Sequence, residues 1–116
     1  MKKARIKTST DAHAFIDAVA AHHGWHVNPD AGFAEVLAGG LAANYNRFGY
    51  YQCPCRDSWA GDRKKDADII CPCVYSKADL DEYGQCYCGL FVTAELAQSG
   101  RGAASIPERR PQELFP

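Results

Sequence analysis

In a chain of 116 residues, thirteen Lys and Arg against fourteen Asp and Glu leave a net charge of −1. That balance provides no global field for nucleic acid or an anionic membrane, so any charged docking surface has to be local. The length suits a single domain over residues 1–116, with room for a real core to which a bound metal centre would add.

No apolar run approaches the length of a membrane span, and Met1-Lys2-Lys3-Ala4-Arg5-Ile6-Lys7 lacks the hydrophobic stretch of a signal peptide. Both point to a cytoplasmic protein. Six cysteines in such a chain are sparser than in small secreted disulfide scaffolds, and in a reducing compartment clustered cysteines are metal ligands or redox catalysts more often than structural disulfides.

Ser9-Thr10-Asp11 supplies N-cap residues, and Phe15, Ile16, Val19 and Ala20 follow at helical spacing as far as Gly24, which predicts a first amphipathic helix. Asn28-Pro29-Asp30 predicts a second start, with a capping side chain, a proline at the first helical position and an early acid. Phe33, Val36, Leu37, Leu41 and Tyr45 form its apolar stripe, which ends near Gly49. Gly39-Gly40 within the stripe weakens the helix by roughly 1 kcal/mol per glycine relative to alanine, and predicts either close packing or a break.

From Tyr50 the chain changes to short segments punctuated by Pro54, Gly61, Pro72 and Gly84, with brief helices expected over 60–67 and 77–83. Gly89-Leu90-Phe91-Val92 is apolar, and residues 98–116 read as an irregular tail rich in Gly, Pro and Arg. Within the tail, Arg109-Arg110-Pro111 is compatible with packing over the core or with mobility.

The chemistry lies in three Cys-X-Cys pairs, Cys53-Pro54-Cys55, Cys71-Pro72-Cys73 and Cys86-Tyr87-Cys88, within 36 residues. In a Cys-Pro-Cys unit the proline fixes its own backbone angle and pushes its predecessor to an extended conformation, so the loop is stiff before a ligand arrives. Four thiolates hold one tetrahedral metal or one cubane iron–sulfur cluster, which leaves two, the number one redox disulfide needs. Fifteen residues separate Cys55 from Cys71 and twelve separate Cys73 from Cys86, matching neither common ferredoxin spacings nor the Cys-X-X-Cys knuckles usual for zinc. By residue type alone, a zinc-stabilised module and a plain electron carrier both stay open.

This constellation resembles the catalytic subunit of ferredoxin:thioredoxin reductase, whose pattern is Cys-Pro-Cys, Cys-Pro-Cys, Cys-His-Cys. Asn28-Pro29-Asp30, the helix end from Leu41 to Arg47 with Asn44, Gly49-Tyr50, Cys53-Pro54-Cys55-Arg56, Asp68-Ile69-Ile70-Cys71-Pro72-Cys73 and Tyr83-Gly84-Gln85-Cys86-Tyr87-Cys88-Gly89-Leu90-Phe91 are similar to its bacterial and archaeal branch. The resemblance implies a small, mainly α single domain, thin in one dimension, in which two N-terminal helices support an irregular half folded around one [4Fe-4S] cluster. It implies that Cys53, Cys71, Cys73 and Cys86 ligate the cluster and that Cys55 and Cys88 form a redox-active disulfide beside it.

In that family the cluster stabilises the half-reduced disulfide by bonding one of its sulfurs. The role implied for Cys55 is the exposed nucleophile, with Arg56 helping to lower its pKa, and for Cys88 the sulfur held at the cluster. Ferredoxin, or rubredoxin, is the implied donor on one face and thioredoxin or a thioredoxin-like protein the acceptor on the other. A small accessory subunit is a further candidate partner, because plastid members have one.

Tyr87 stands where the plastid pattern has histidine; with an unperturbed pKa of about 10 it is a poor proton shuttle, and is expected to donate a hydrogen bond instead. The longer gap before the third pair suggests a different surface loop over 77–82. The alternative of another class is a non-catalytic zinc or iron–sulfur binding or scaffold module.

His13, His22, His23 and His26 are read as solvated or capping side chains, since Gly24 interrupts the helix between His22 and His26. Tyr45, Phe48, Tyr50, Tyr51 and Trp59 are read as core and cluster shielding, because the interleaved basic residues of a nucleic-acid surface are nearly absent. Arg63-Lys64-Lys65, with Lys2, Lys3, Arg5 and Lys7, is either solvated charge or a docking patch for an acidic donor.

Overall fold

A computed structural model describes residues 6–116, so Lys2, Lys3 and Arg5 of the possible basic patch lie outside the described residues. The first helix, α1, runs Ser9–His23. Its N-cap is Thr8, one residue before the expected Ser9-Thr10-Asp11 set, in a capping box whose reciprocal carboxylate is Asp11. Gly24 closes it in the left-handed conformation, as anticipated.

The second helix, α2, runs Ala31–Phe48 and ends at Gly49. Asp30 is its N-cap, accepting from the Phe33 N–H, so Pro29 lies outside the helix instead of at its first position. Asn28 is committed elsewhere: its Nδ2 donates to the Gly89 carbonyl while its Oδ1 accepts from the Asp30 N–H.

The apolar stripe of α2 also differs from expectation. Its buried residues are Ala34, Leu37, Ala38, Leu41 and Ala42, whereas Val36 is 73% exposed and Phe33 lies at the surface. The reason is close packing: α1 buries Ala12, Ile16 and Ala20, and these alanines with Ala34, Ala38 and Ala42 form one cluster around Ile16, Leu37 and Leu41. Large side chains on that face would separate the helices. Gly39-Gly40 does not break α2. A Cβ at Gly40 would meet the Cβ of Pro54 at 3.1 Å, so the glycine lets the first Cys-Pro-Cys loop rest on the helix.

The rest of the chain is folded in short pieces. Strand β1, His26–Val27, pairs antiparallel with β2, Phe91–Val92, in the register His26–Val92 and Val27–Phe91. Helix α3 covers Ser76–Tyr83 and α4 covers Ala94–Ser99. Lys77 to Glu82 thus lie on a helix, and the longer gap before the third pair is not a surface loop.

The helix expected over 60–67 is replaced by turns followed by a 3-10 turn, Ala67–Ile69. Ala60 and Gly61 both have positive φ, which no α-helix accommodates, and Asp66 draws the loop around itself. Completely buried, the Asp66 carboxylate accepts from the Tyr50 hydroxyl at 2.5 Å, the Ser58 hydroxyl and the Trp59 N–H.

The tail is irregular apart from the end of α4 and a 3-10 turn at Gln112–Leu114, and residues 108–110 pack down on the body. The Arg109 Nε donates to Asp79 at 2.7 Å and its Nη2 to Glu82, while Arg110 is buried and forks onto Asp68. The molecule is a small, mainly helical domain measuring 50 × 34 × 22 Å, consistent with the flattened shape expected.

Candidate cysteine centre

Each cysteine pair is placed by a different anchor. For the first, Asn44 on α2 donates to both the backbone and side-chain oxygens of Gln52 at 3.0 and 2.8 Å. The buried Gln52 amide then donates to the carbonyls of Cys53 and Arg56. One helix residue and one glutamine thereby fix the whole loop.

The second pair is tied to the first by backbone: the Cys53 N–H donates to the Ile69 carbonyl and the Cys71 N–H to the Tyr51 carbonyl. The Cys71–Pro72 peptide is cis. The third pair hangs on the small sheet, with the Cys86 N–H donating to Phe91 and the Gly89 N–H returning to Cys86. Gly89 sits at φ +78, and a Cβ there would come within 2.6 Å of the Ala103 Cβ, so only glycine lets the tail cross so close. Gln85 holds that crossing by exchanging hydrogen bonds with both backbone groups of Ala104.

These anchors bring all six cysteines to one place. Cys53, Cys71, Cys73, Cys86 and Cys88 line one small cavity with Arg56, Ser76, Tyr87 and Phe91. Cys55 is exposed, next to Cys53 and Cys88. All six are free thiols; Cys86 and Cys88 have their sulfurs 3.8 Å apart. Among the described residues no group of three or more His, Cys, Asp or Glu is arranged to hold a single metal ion. His13 pairs instead with Glu35, and His23 stacks on Trp25.

The electrostatics of the free thiols are uneven. Hydrogen bonds from Cys55 and then Cys88 hold Cys53 well below the ordinary thiol range, while the same bond pushes Cys55 up to about 12. A bond from Cys88 likewise lowers Cys86, and donating to Cys53 raises Cys88. Burial is the main reason Cys71 and Cys73 are raised.

Arg56 does not serve Cys55 as expected. Its side chain, only 2% exposed, directs Nη1 to the Cys73 sulfur at 3.0 Å and forks onto Glu108 through Nε and Nη2 at 2.8 and 2.7 Å. Burial opposes the charge, but Glu108 and Cys73 outweigh it and raise the pKa of the guanidinium. Tyr87 lies over that guanidinium at 4.4 Å, and burial lifts its hydroxyl above the usual phenol value, away from proton exchange near neutrality.

Sequence reading passes over Ser76 and Glu108 and leaves open the packing of Arg110, which is buried on the body. Ser76 Oγ lies 3.1 Å from the Cys73 sulfur, and Arg110 both donates its N–H to Glu108 and forks onto Asp68. A signal for the tail was present, since the charged triplet 108–110 is bracketed by Pro107 and Pro111, as suits a segment held extended. Arg63, Lys64 and Lys65 are exposed, with Lys65 over the Trp59 ring. No helix among the described residues is long and apolar enough to cross a membrane.

A comparison with curated proteins finds no match. The profile of the family described as ferredoxin thioredoxin reductase catalytic beta chain matches residues 2–110, a span that takes in all three cysteine pairs, the helices beneath them and the tail clamp. The chain that gathers six thiols in this way therefore belongs to the ferredoxin thioredoxin reductase catalytic beta chain family.

Proposed function

We propose that the protein is an iron–sulfur disulfide reductase that takes single electrons from ferredoxin, or rubredoxin, and delivers pairs of them to a disulfide of thioredoxin or a thioredoxin-like protein. The observation that carries this reading is the exposed Cys55 beside the half-buried Cys88, with four further cysteines gathered about the same cavity.

Cys53, Cys71, Cys73 and Cys86 would hold a [4Fe-4S] cluster, and the donor set fits one. The four sulfurs share one small cavity with Cys88, and Arg56 and Ser76 supply polar partners to the Cys73 sulfur, a thiol-rich lining that suits a soft iron–sulfur group. When bound, the cluster supplies electrons one at a time at a potential tuned by its surroundings.

The chain's own residues do the thiol chemistry. The bond to Cys53 that raises the Cys55 thiol would be lost with Cys53 taken up as a cluster ligand. With Cys55 and Cys88 reduced, the Cys55 thiolate then attacks one sulfur of the target disulfide; a Cys55–target bond forms and the other target sulfur leaves as a thiolate that takes a proton. Cys88 then attacks Cys55, restoring the Cys55–Cys88 disulfide and releasing the second target thiol. Two electrons and two protons return the pair to its starting state. Exposure suits Cys55 to the first attack and partial burial suits Cys88 to the second. Tyr87, whose ring covers Arg56, shields the centre from water; proton exchange falls to solvent at the open side of Cys55.

An anaerobic native mass spectrum tests the composition: four irons and four sulfides with a Cys55–Cys88 disulfide are expected, and a single zinc with two free thiols would overturn the reading. Cys55→Ser is expected to keep the cluster absorbance and lose disulfide reduction. Reversal of Arg63, Lys64 and Lys65 to Glu is expected to slow reduction by an acidic ferredoxin at low salt, and an unchanged rate removes that patch from the donor surface.

A further inference from the structure

Arg56 is bound more elaborately than an ion pair requires. Two of its donors satisfy Glu108, from 52 residues away, and a third is aimed at the Cys73 sulfur. The cation also lies over two aromatic rings, Tyr87 at 4.4 Å and Tyr75 at 5.2 Å. The contacts around it close into a circuit. Tyr75 donates its hydroxyl to Asp68, Asp68 holds Arg110, the Arg110 N–H donates to Glu108, and Glu108 holds Arg56.

Such a circuit fixes where the cation lies. A guanidinium is always charged and its fork is rigid, so locking two donors on a carboxylate determines where the third points. Here it points at a sulfur that the ligand assignment gives to the cluster. Hydrogen bonds and positive charge at a ligating sulfur favour the state carrying the extra electron, and so raise the reduction potential. Stability alone explains the arrangement poorly, because a buried Arg–Glu pair gains little over well-packed apolar side chains.

We propose that Arg56 is a positioning residue that sets the potential of the centre through the Cys73 sulfur, and that Glu108 acts through it by holding the guanidinium in place. This rests on the reading above that Cys73 is a cluster ligand. The tail segment 108–110 is then part of the redox centre, although it contains no cysteine.

The two members of the pair make opposite electrostatic predictions, which gives the test its sign. Loss of the Arg56 charge lowers the potential. Loss of the Glu108 charge would raise it if Glu108 acted as a bare anion, but lowers it if Glu108 acts by holding Arg56. The full-length, cluster-loaded protein is titrated anaerobically by spectroelectrochemistry as wild type, Arg56→Gln, Arg56→Lys and Glu108→Ala, with iron content measured for each.

Arg56→Gln is expected to shift the one-electron equilibrium at least tenfold toward the oxidised centre, about 59 mV, with iron content retained. Arg56→Lys, which keeps the charge without the fork, is expected to recover part of the shift. Glu108→Ala is expected to shift in the same direction as Arg56→Gln, and carries the test if Arg56→Gln does not fold. An unchanged potential in an iron-loaded Arg56→Gln protein, or a raised one in Glu108→Ala, overturns the inference alone. A wild-type protein without a [4Fe-4S] cluster overturns the inference together with the reading beneath it.

Discussion

The two halves of this molecule are held by different forces. Residues 9–48 form two helices joined through alanines and a few large aliphatics, and their side-chain hydrogen bonds are mostly caps. From Tyr50 onward Leu80, Leu90 and Phe91 join that core, but the loops take their order from buried polar side chains that gather backbone around them: Gln52, Asp66, Gln85, Arg56 and Arg110. A helical half buries apolar surface and tolerates adjustment. A half built on polar hubs depends on each of them being satisfied, since an unmatched buried donor costs more than the bond itself contributes.

The largest effect is expected at Asp66. Asp66→Ala orphans the buried Tyr50 hydroxyl and removes the acceptor of the part-buried Trp59 N–H, at about 1–3 kcal/mol each, so a loss of about 4 kcal/mol is expected by chemical denaturation. Asp66→Asn, which keeps an acceptor, should lose clearly less; equal losses would mean the loop is held by packing and the contrast between the halves is overstated.

Ile16→Ala probes the other half. A cost of about 3 kcal/mol is expected for a fully buried aliphatic, with the rate of Cys55 alkylation below the unfolding transition left as in the wild type. Faster alkylation would show that the helical core controls the thiols directly.

Gly40→Val tests the contact between the halves. Its new side chain meets Pro54, and about 2 kcal/mol of overpacking strain is expected. The strain falls on the first cysteine loop, so hydrogen exchange should rise at Gln52 and Cys53 more than within α1.

The smallest effect is electrostatic. Burial pushes Asp68 and Glu108 upward, but Tyr75 and Arg110 at the first, and Arg56 and the Arg110 N–H at the second, prevail and hold both below the usual carboxylate range. A depressed carboxyl contributes its full stabilisation above its unfolded pKa, about 4, and loses it as pH falls through the lower folded value. The tail should therefore stay clamped from pH 7 to 5 and loosen only below about 4. Trp59, whose indole N–H donates to the Leu114 carbonyl, reports this by fluorescence in a Trp25→Phe background; loosening near pH 6 would assign the clamp to other groups.

The contrast also explains what could be read in the sequence. Helices α1 and α2 were legible because caps and periodic apolar residues are local, and Gly24 and Gly49 end them as expected. The face of α2 departs from its periodicity at Val36 because this packing selects small residues, Ala34, Ala38 and Ala42, over large ones. The three cysteine pairs were legible as motifs, and the family follows from them and from the profile match. The two-residue strands are too short to show an alternation, and the turns over 60–67 are organised by Asp66, whose partners no periodicity reveals. Arg56 was noticed for its neighbour Cys55, yet its contacts are to Cys73, 17 residues on, and Glu108, 52 residues on. Long-range polar pairing has no local signature.

The clamp at residues 108–110 has a consequence for proteolysis. A cut between Ser99 and Glu108 would leave all six cysteines on one fragment, yet would separate the Arg56 guanidinium from its carboxylate and Asp68 from Arg110. Damage to a segment without a thiol would thus be felt at the Cys73 sulfur, which that guanidinium faces.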